Sequence, residues 1–145
     1  MEDVRVLLQL FVRRFGILHA DCCGICCGQE LSLTQSHILF EIKRQNNSSM
    51  QQVADALDMD LTTFSRQIKT LENKGLVIRT PDLDDRRVNL LSLTFDGKNI
   101  ENQINIAMTQ YIEKVFSQFT ELEKSMIIGS IKLVNEALIK TGPCC

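Results

Sequence analysis

The sequence predicts a mainly helical chain, interrupted once past its middle by a short two-stranded hairpin, and three observations carry this expectation. Apolar residues recur at spacings of three and four in several separate stretches. Hydroxyl-bearing residues stand three positions before Gln or Glu at two of the expected helix starts. One pair of short apolar runs flanks a tip rich in aspartate and arginine, a pattern of strands rather than of helices. The length of 145 residues suits one domain, taken as 1–145.

The first helix is expected from Val4, Leu7, Leu8, Phe11, Phe15 and Leu18, which form one stripe, with Arg5, Arg13 and Arg14 elsewhere on the wheel. Gly24 and Gly28, set among cysteines, suggest a break or bend after it. Thr34 is a candidate cap for a second helix with Ile38, Leu39 and Ile42 on its apolar side. Gln45-Asn46-Asn47-Ser48 reads as a polar loop. Ser49-Met50-Gln51-Gln52 fits a capping box, and Val53, Ala54 and Leu57 give the short helix behind it an apolar side. Asp58-Met59-Asp60 makes a turn in which Asp60 caps the next helix.

In that next helix Leu61, Phe64, Ile68 and Leu71 are expected to face inward. On a wheel of 3.6 residues per turn, Thr62, Arg66, Lys69, Thr70 and Asn73 take the opposite side. Gly75 closes the helix, with Lys74 in a last turn that suits the helix dipole. Leu76–Arg79 and Val88–Leu93 follow as strand-like runs around Pro81-Asp82-Leu83-Asp84-Asp85-Arg86-Arg87. A short helix, a turn, a polar-faced helix and a two-stranded wing make a winged helix-turn-helix, placed at 34–94. Thr94 then caps a long helix with Ile100, Ile104, Met108, Tyr111, Val115 and Phe119 on one face. Thr120-Glu121-Leu122-Glu123 is a second capping box, and opens a last helix through Met126, Leu133, Val134 and Leu138. Gly142-Pro143 stops it and leaves Cys144-Cys145 as a tail.

Several of these stretches together resemble the MarR family of bacterial transcriptional regulators. They are Val53-Ala54 with Leu57, Thr63-Phe64-Ser65-Arg66, Leu71-Glu72-Asn73-Lys74-Gly75-Leu76-Val77, Asp85-Arg86-Arg87 and Leu93-Thr94-x-x-Gly97. The sharpest are the Asp-x-Arg of the wing and the Leu-Thr-x-x-Gly after it. The resemblance implies a winged-helix homodimer that binds double-stranded DNA, usually as a repressor, with both chain ends in the dimer interface. Apolar stripes in 1–20 and 95–141 exceed what a winged core of about sixty residues covers, and such stripes normally find a partner. A monomer that buries every stripe internally is the alternative.

Net charge is −2, which by itself speaks weakly against nucleic-acid binding. Its distribution partly answers this, because Leu61 to Arg79 holds four cations and one anion. Thr62, Thr63, Ser65, Arg66 and Lys69 are expected in the major groove, where arginine pairs with guanine edges and threonine meets thymine methyls. Lys69 and Lys74 are expected on phosphates. Asp85 is placed to hold Arg87 by a charge-assisted pair, so that Arg86 and Arg87 offer cations to a narrow minor groove. The bland alternative for the tip is a solvated, salt-bridged turn. The acids there lack a nucleophile, a glycine-rich phosphate loop and a cleft, so no enzyme is expected. No apolar run approaches the ~18 residues of a membrane span and no secretory signal is apparent, so a cytoplasmic location is the default.

The six cysteines form three adjacent pairs, Cys22-Cys23, Cys26-Cys27 and Cys144-Cys145, in segments 22–28 and 144–145. Residues three and four apart share a helix face, so Cys22, Cys23, Cys26 and Cys27 can share a ligand or a bond. A structural disulfide framework does not suit a reducing cytoplasm. The readings that remain are capture of a thiophilic ion such as As(III), Cu(I) or Zn(II), thiol-redox switching, or an inert cluster. A cysteine-rich segment and tail are not general features of the family, so this chemistry rests on residue type. His19 and His37 are kept out of the candidate ligands. From another class, a winged-helix protein-interaction module with a structural zinc is the alternative, against which the basic, hydroxyl-rich helix face speaks.

Overall fold

The computed structural model describes residues 3–15 and 30–142. The chain divides into two compact units, Met1–Asn105 and Ile106–Cys145. In the first, α1 is Val4–Arg14, α2 Leu33–Gln45, β1 Ser48–Ser49, α3 Met50–Ala56, α4 Leu61–Asn73, β2 Val77–Pro81 and β3 Asn89–Leu93. Helix α5, Phe95–Phe116, begins in the first unit and continues into the second, which also holds α6, Glu121–Thr141. All the cysteines, the end of the N-terminal stripe at Leu18, and Pro143 lie outside the described residues.

The core of the first unit is built from the stripes that helical spacing selects. Ile38, Leu39 and Ile42 of α2, Val53 and Ala54 of α3, and Phe64, Ile68 and Leu71 of α4 meet Leu76, Val77, Leu91, Leu93 and Ile100. Most are wholly removed from solvent, which contributes about 1.5–3 kcal/mol for each large side chain. Leu61 departs from its expected inward place. It is 45% exposed and lines a surface cavity instead of the core.

Local chemistry sets the helix starts. Ser49 accepts from Gln52 N at 3.1 Å while the Gln52 side chain accepts from Ser49 N at 2.9 Å, which closes the expected box. Thr120 and Glu123 do the same at the head of α6. The cap of α2 is Ser32 rather than Thr34, because Gln35 lies three residues on and returns the bond to Ser32 N. Thr34 has His37 at that position, which supplies no such reciprocal oxygen.

The sheet has three strands in the order β1-β3-β2, all antiparallel, where the sequence suggests only the two of the hairpin. Ser48 pairs with Leu91 and Ser49 with Leu90, so part of the expected polar loop is a strand. Asn46 and Asn47 take positive φ of 54° and 55° just before it, a conformation asparagine tolerates better than most residues.

Two of the ion pairs in this unit start from α2. Lys43 of α2 bonds the buried Glu101 of α5 and donates to Asn102 at 2.7 Å. Glu41 accepts from Arg44 at 2.5 Å and from Gln45 at 2.6 Å. The Arg44 guanidinium outweighs burial and holds the Glu41 carboxyl below the usual carboxylate range.

In the second unit, α5 ends at Phe116, so Phe119 leaves the expected helical stripe and sits in the turn, edge-on to Phe116 at 6.2 Å. No residue of α6 is buried. Its predicted stripe of Met126, Leu133, Val134 and Leu138 is exposed along its whole length. No described helix is long and apolar enough to cross a membrane.

Candidate nucleic-acid interface

Helix α4 is delivered to the surface by its cap and by its core stripe. Asp60 accepts from Thr63 N at 2.9 Å, and the Thr63 bonds hold its carboxyl below the usual carboxylate range. With Phe64, Ile68 and Leu71 fixed inward, Thr62, Thr63, Arg66, Lys69, Thr70 and Asn73 are all exposed, and Ser65 is half-buried. Arg66 and Lys69 have no ion-pair partner among the described residues, so both cations stand free on that face.

The wing is set against this helix by a small clasp. Thr94 N donates to Leu76 O at 3.0 Å, and Thr94 Oγ1 donates to Gly75 O at 2.6 Å while accepting from Gly97 N at 2.9 Å. Gly75 has φ 72°, which suits glycine and lets the chain turn at once from α4 into β2. Arg79 of β2 then reaches back to Glu72 of α4 through bonds of 3.2 and 2.7 Å. That pair consumes the single acid of the α4–β2 stretch.

At the tip the expected pair forms. Arg87 donates from Nε to Asp85 Oδ1 at 3.1 Å and from Nη2 to Asp85 Oδ2 at 3.2 Å. The guanidinium and then the Arg87 N–H hold the Asp85 carboxyl below its usual range. Arg87 is nevertheless 91% exposed along its side chain, so the carboxylate aims the cation without burying it. Arg86 is exposed beside it.

Ser65 and Arg87 line one open cavity of about 370 Å³ with Leu61, Arg79, Val88, Asn89 and the start of α3 at Ser49, Met50 and Gln51. The structure thus brings α4, the head of α3 and the root of the wing to one concave surface. Arg79, Asn89 and Gln51 were not legible as members of it, since strand and cap patterns explain those positions without a surface role. Lys74, expected on a phosphate, has internal partners. Its ammonium donates to the Glu30 carbonyl and lies 3.5 Å from Gln35 Oε1, at the start of α2.

Among the described residues no group of three or more His, Cys, Asp or Glu is placed to hold a metal ion. The expected thiolate ligands, Cys22, Cys23, Cys26, Cys27, Cys144 and Cys145, lie outside those residues.

The family model for MarR matches residues 31–88, the stretch from α2 to the wing. The chain is 26% identical over 102 residues to the HTH-type transcriptional regulator YxaD of Bacillus subtilis, spanning 70% of this chain and 71% of that protein. It is 29% identical over 105 residues to the HTH-type transcriptional regulator SarZ of Staphylococcus aureus, spanning 71% and 68%. In fold it is similar to Streptococcus pneumoniae FabT, solved in complex with DNA, with a TM-score of 0.83 over 95% of this chain and 96% of that one at 22% identity.

Proposed function

We propose that this chain, similar from α2 to the wing to the MarR family and to HTH-type transcriptional regulators, is a DNA-binding regulator of that family and acts as a homodimeric repressor on a pseudo-palindromic operator. One observation supports the reading surface above others: the exposed Arg66 and Lys69 lie on α4 while Arg87 is held outward by the Asp85 carboxylate on the adjoining wing. In this reading Thr62, Thr63, Ser65 and Arg66 meet base edges in the major groove. Lys69 holds a phosphate, and Arg86 and Arg87 enter the flanking minor groove, where negative potential favours arginine.

The dimer is supported by apolar surface that the chain leaves uncovered. Leu8 and Phe11 of α1 and Leu122, Leu133 and Leu138 of α6 are each more than half exposed. Pairing of the first and last two helices between two copies would cover it. The test is sedimentation at micromolar concentration, alone and with a duplex enriched by the protein from a randomised pool. The expected species is a dimer, bound one per inverted repeat. A monomer that binds its duplex tightly would defeat the symmetric reading.

The finer part of the proposal is that the paired cysteines take a thiophilic ion, As(III), Cu(I) or Zn(II), and that this lowers operator affinity. It is supported by the three Cys-Cys pairs and by soft-ion preference for thiolates. Coupling of ~1–3 kcal/mol, or about 5- to 150-fold in affinity, suffices for such a switch. Reduced protein titrated with each ion should release DNA, and Cys→Ser changes at 22/23 or 26/27 should abolish the release. Release by peroxide through the same residues, with no ion bound below millimolar, would replace ion sensing by redox switching. Serine variants that respond like the unaltered protein would remove the cysteines from sensing altogether.

A further inference from the structure

We infer that Lys74 and Gln35 act as positioning residues that lock the reading helix against the start of α2, and that Lys74 is not a phosphate contact; this rests on the DNA-reading role proposed above. Gln35 is the hub. It is 7% exposed, and its Oε1 accepts from Ser32 N at 3.2 Å and faces Lys74 Nζ at 3.5 Å. Its Nε2 donates to Gln67 Oε1 at 3.3 Å. Lys74 also donates to the carbonyl of Glu30, two residues before the cap of α2. One buried amide therefore caps α2 and joins it to α4, and the ammonium beside it adds a second tie.

The placement on α4 gives the ties their effect. Gln67 and Lys74 are seven residues apart, which is about two turns, ~10.5 Å along the axis and only about 20° apart around it. Two ties on one flank, two turns apart, resist both roll and tilt of the helix. That flank lies between the core stripe of Phe64, Ile68 and Leu71 and the exposed face of Arg66, Lys69 and Asn73. Both acceptors of Lys74 are neutral oxygens, and its side chain is half-buried against them. These bonds occupy two of the three ammonium donors and tether the head group toward α2, whereas Lys69 is exposed and uncommitted. Discrimination between bases depends on where α4 sits in the groove, so loosening this flank should cost specificity before it costs charge attraction.

The experiment uses the full chain and a labelled duplex enriched by the unaltered protein from a randomised pool, with a scrambled duplex as control. Lys74→Met and Gln35→Met should each weaken binding to the enriched duplex by roughly five- to tenfold, the scale of one ordinary intramolecular hydrogen bond. Binding to the scrambled duplex should stay unchanged, and so should the slope of log affinity against log salt. The double variant should lose little more than either single one, because the two residues share one network. Lys74→Arg, which keeps a donor within reach, should restore discrimination. Gln67→Met removes the other tie without touching a charge, and should reproduce the loss even if a Lys74 variant fails to fold. A slope reduced by about one per subunit with equal weakening on both duplexes would make Lys74 a phosphate contact and overturn the inference. So would unchanged discrimination in Gln67→Met and Gln35→Met. Failure of the unaltered protein to enrich any duplex counts instead against the proposed function.

Discussion

Gly97→Ala should cost the winged unit roughly 3 kcal/mol or more, and lower its melting temperature by on the order of 10 °C. A Cβ built on Gly97 would stand 2.0 Å from the Leu76 carbonyl oxygen and 3.0 Å from its carbon. These are backbone atoms, so no side chain can swing aside to make room. Leu76 is itself fully buried between α4 and β2, and its carbonyl already accepts from Thr94 N. Relief therefore requires α5 to move off the end of α4, which strains the Thr94 bonds to Gly75 and Gly97 together. Thermal unfolding followed by circular dichroism measures the effect. A variant that melts like the unaltered protein would show that the start of α5 shifts freely, and would remove the clasp as the device that sets the wing against the reading helix.

The second large effect is on binding. Arg66→Ala should cost roughly 1–3 kcal/mol on the cognate duplex and relax specificity at one position in each half-site, because a base-edge contact disappears. Arg87→Ala should instead weaken binding to every sequence more evenly, and reduce the salt slope by about one per wing. The contrast follows from geometry. Arg66 stands unpaired on the exposed face of a helix fixed by Phe64, Ile68 and Leu71. Arg87 is aimed by Asp85 at the end of a hairpin, beside the exposed Leu83 and Asp84. Fluorescence anisotropy over a salt series separates the two. Identical binding by both variants and the unaltered protein would put the reading face elsewhere.

What was legible in the sequence was what local physics decides. Ser49 with Gln52, Asp60 with Thr63, and Thr120 with Glu123 satisfy helix-end N–H groups within four residues, so their residue types announce them. The stripe of Phe64, Ile68 and Leu71 and the Asp85–Arg87 pair are equally local. The rest depends on partners distant in the chain. Ser48 and Ser49 carry no strand pattern and become one by pairing with Leu91 and Leu90. Lys74 has the charge and place of a phosphate ligand, but its partners Glu30 and Gln35 are about forty residues away. Leu61 obeys the wheel yet meets the cavity, because periodicity gives direction around a helix and not what stands opposite it. The cysteine pairs are conspicuous in the sequence and lie outside the described residues.

In the proposed complex, α4 and the wing of each of two copies read one inverted repeat. Hydroxyl-radical footprinting on an enriched duplex tests it most directly, because cleavage reports the minor groove and backbone at single-nucleotide spacing. The expected footprint is symmetric, with half-site centres about one helical turn apart, ~34 Å. Flanking minor-groove protections should vanish in Arg87→Ala while the inner protections remain. A single asymmetric footprint, or flanking protections that persist in Arg87→Ala, would contradict it.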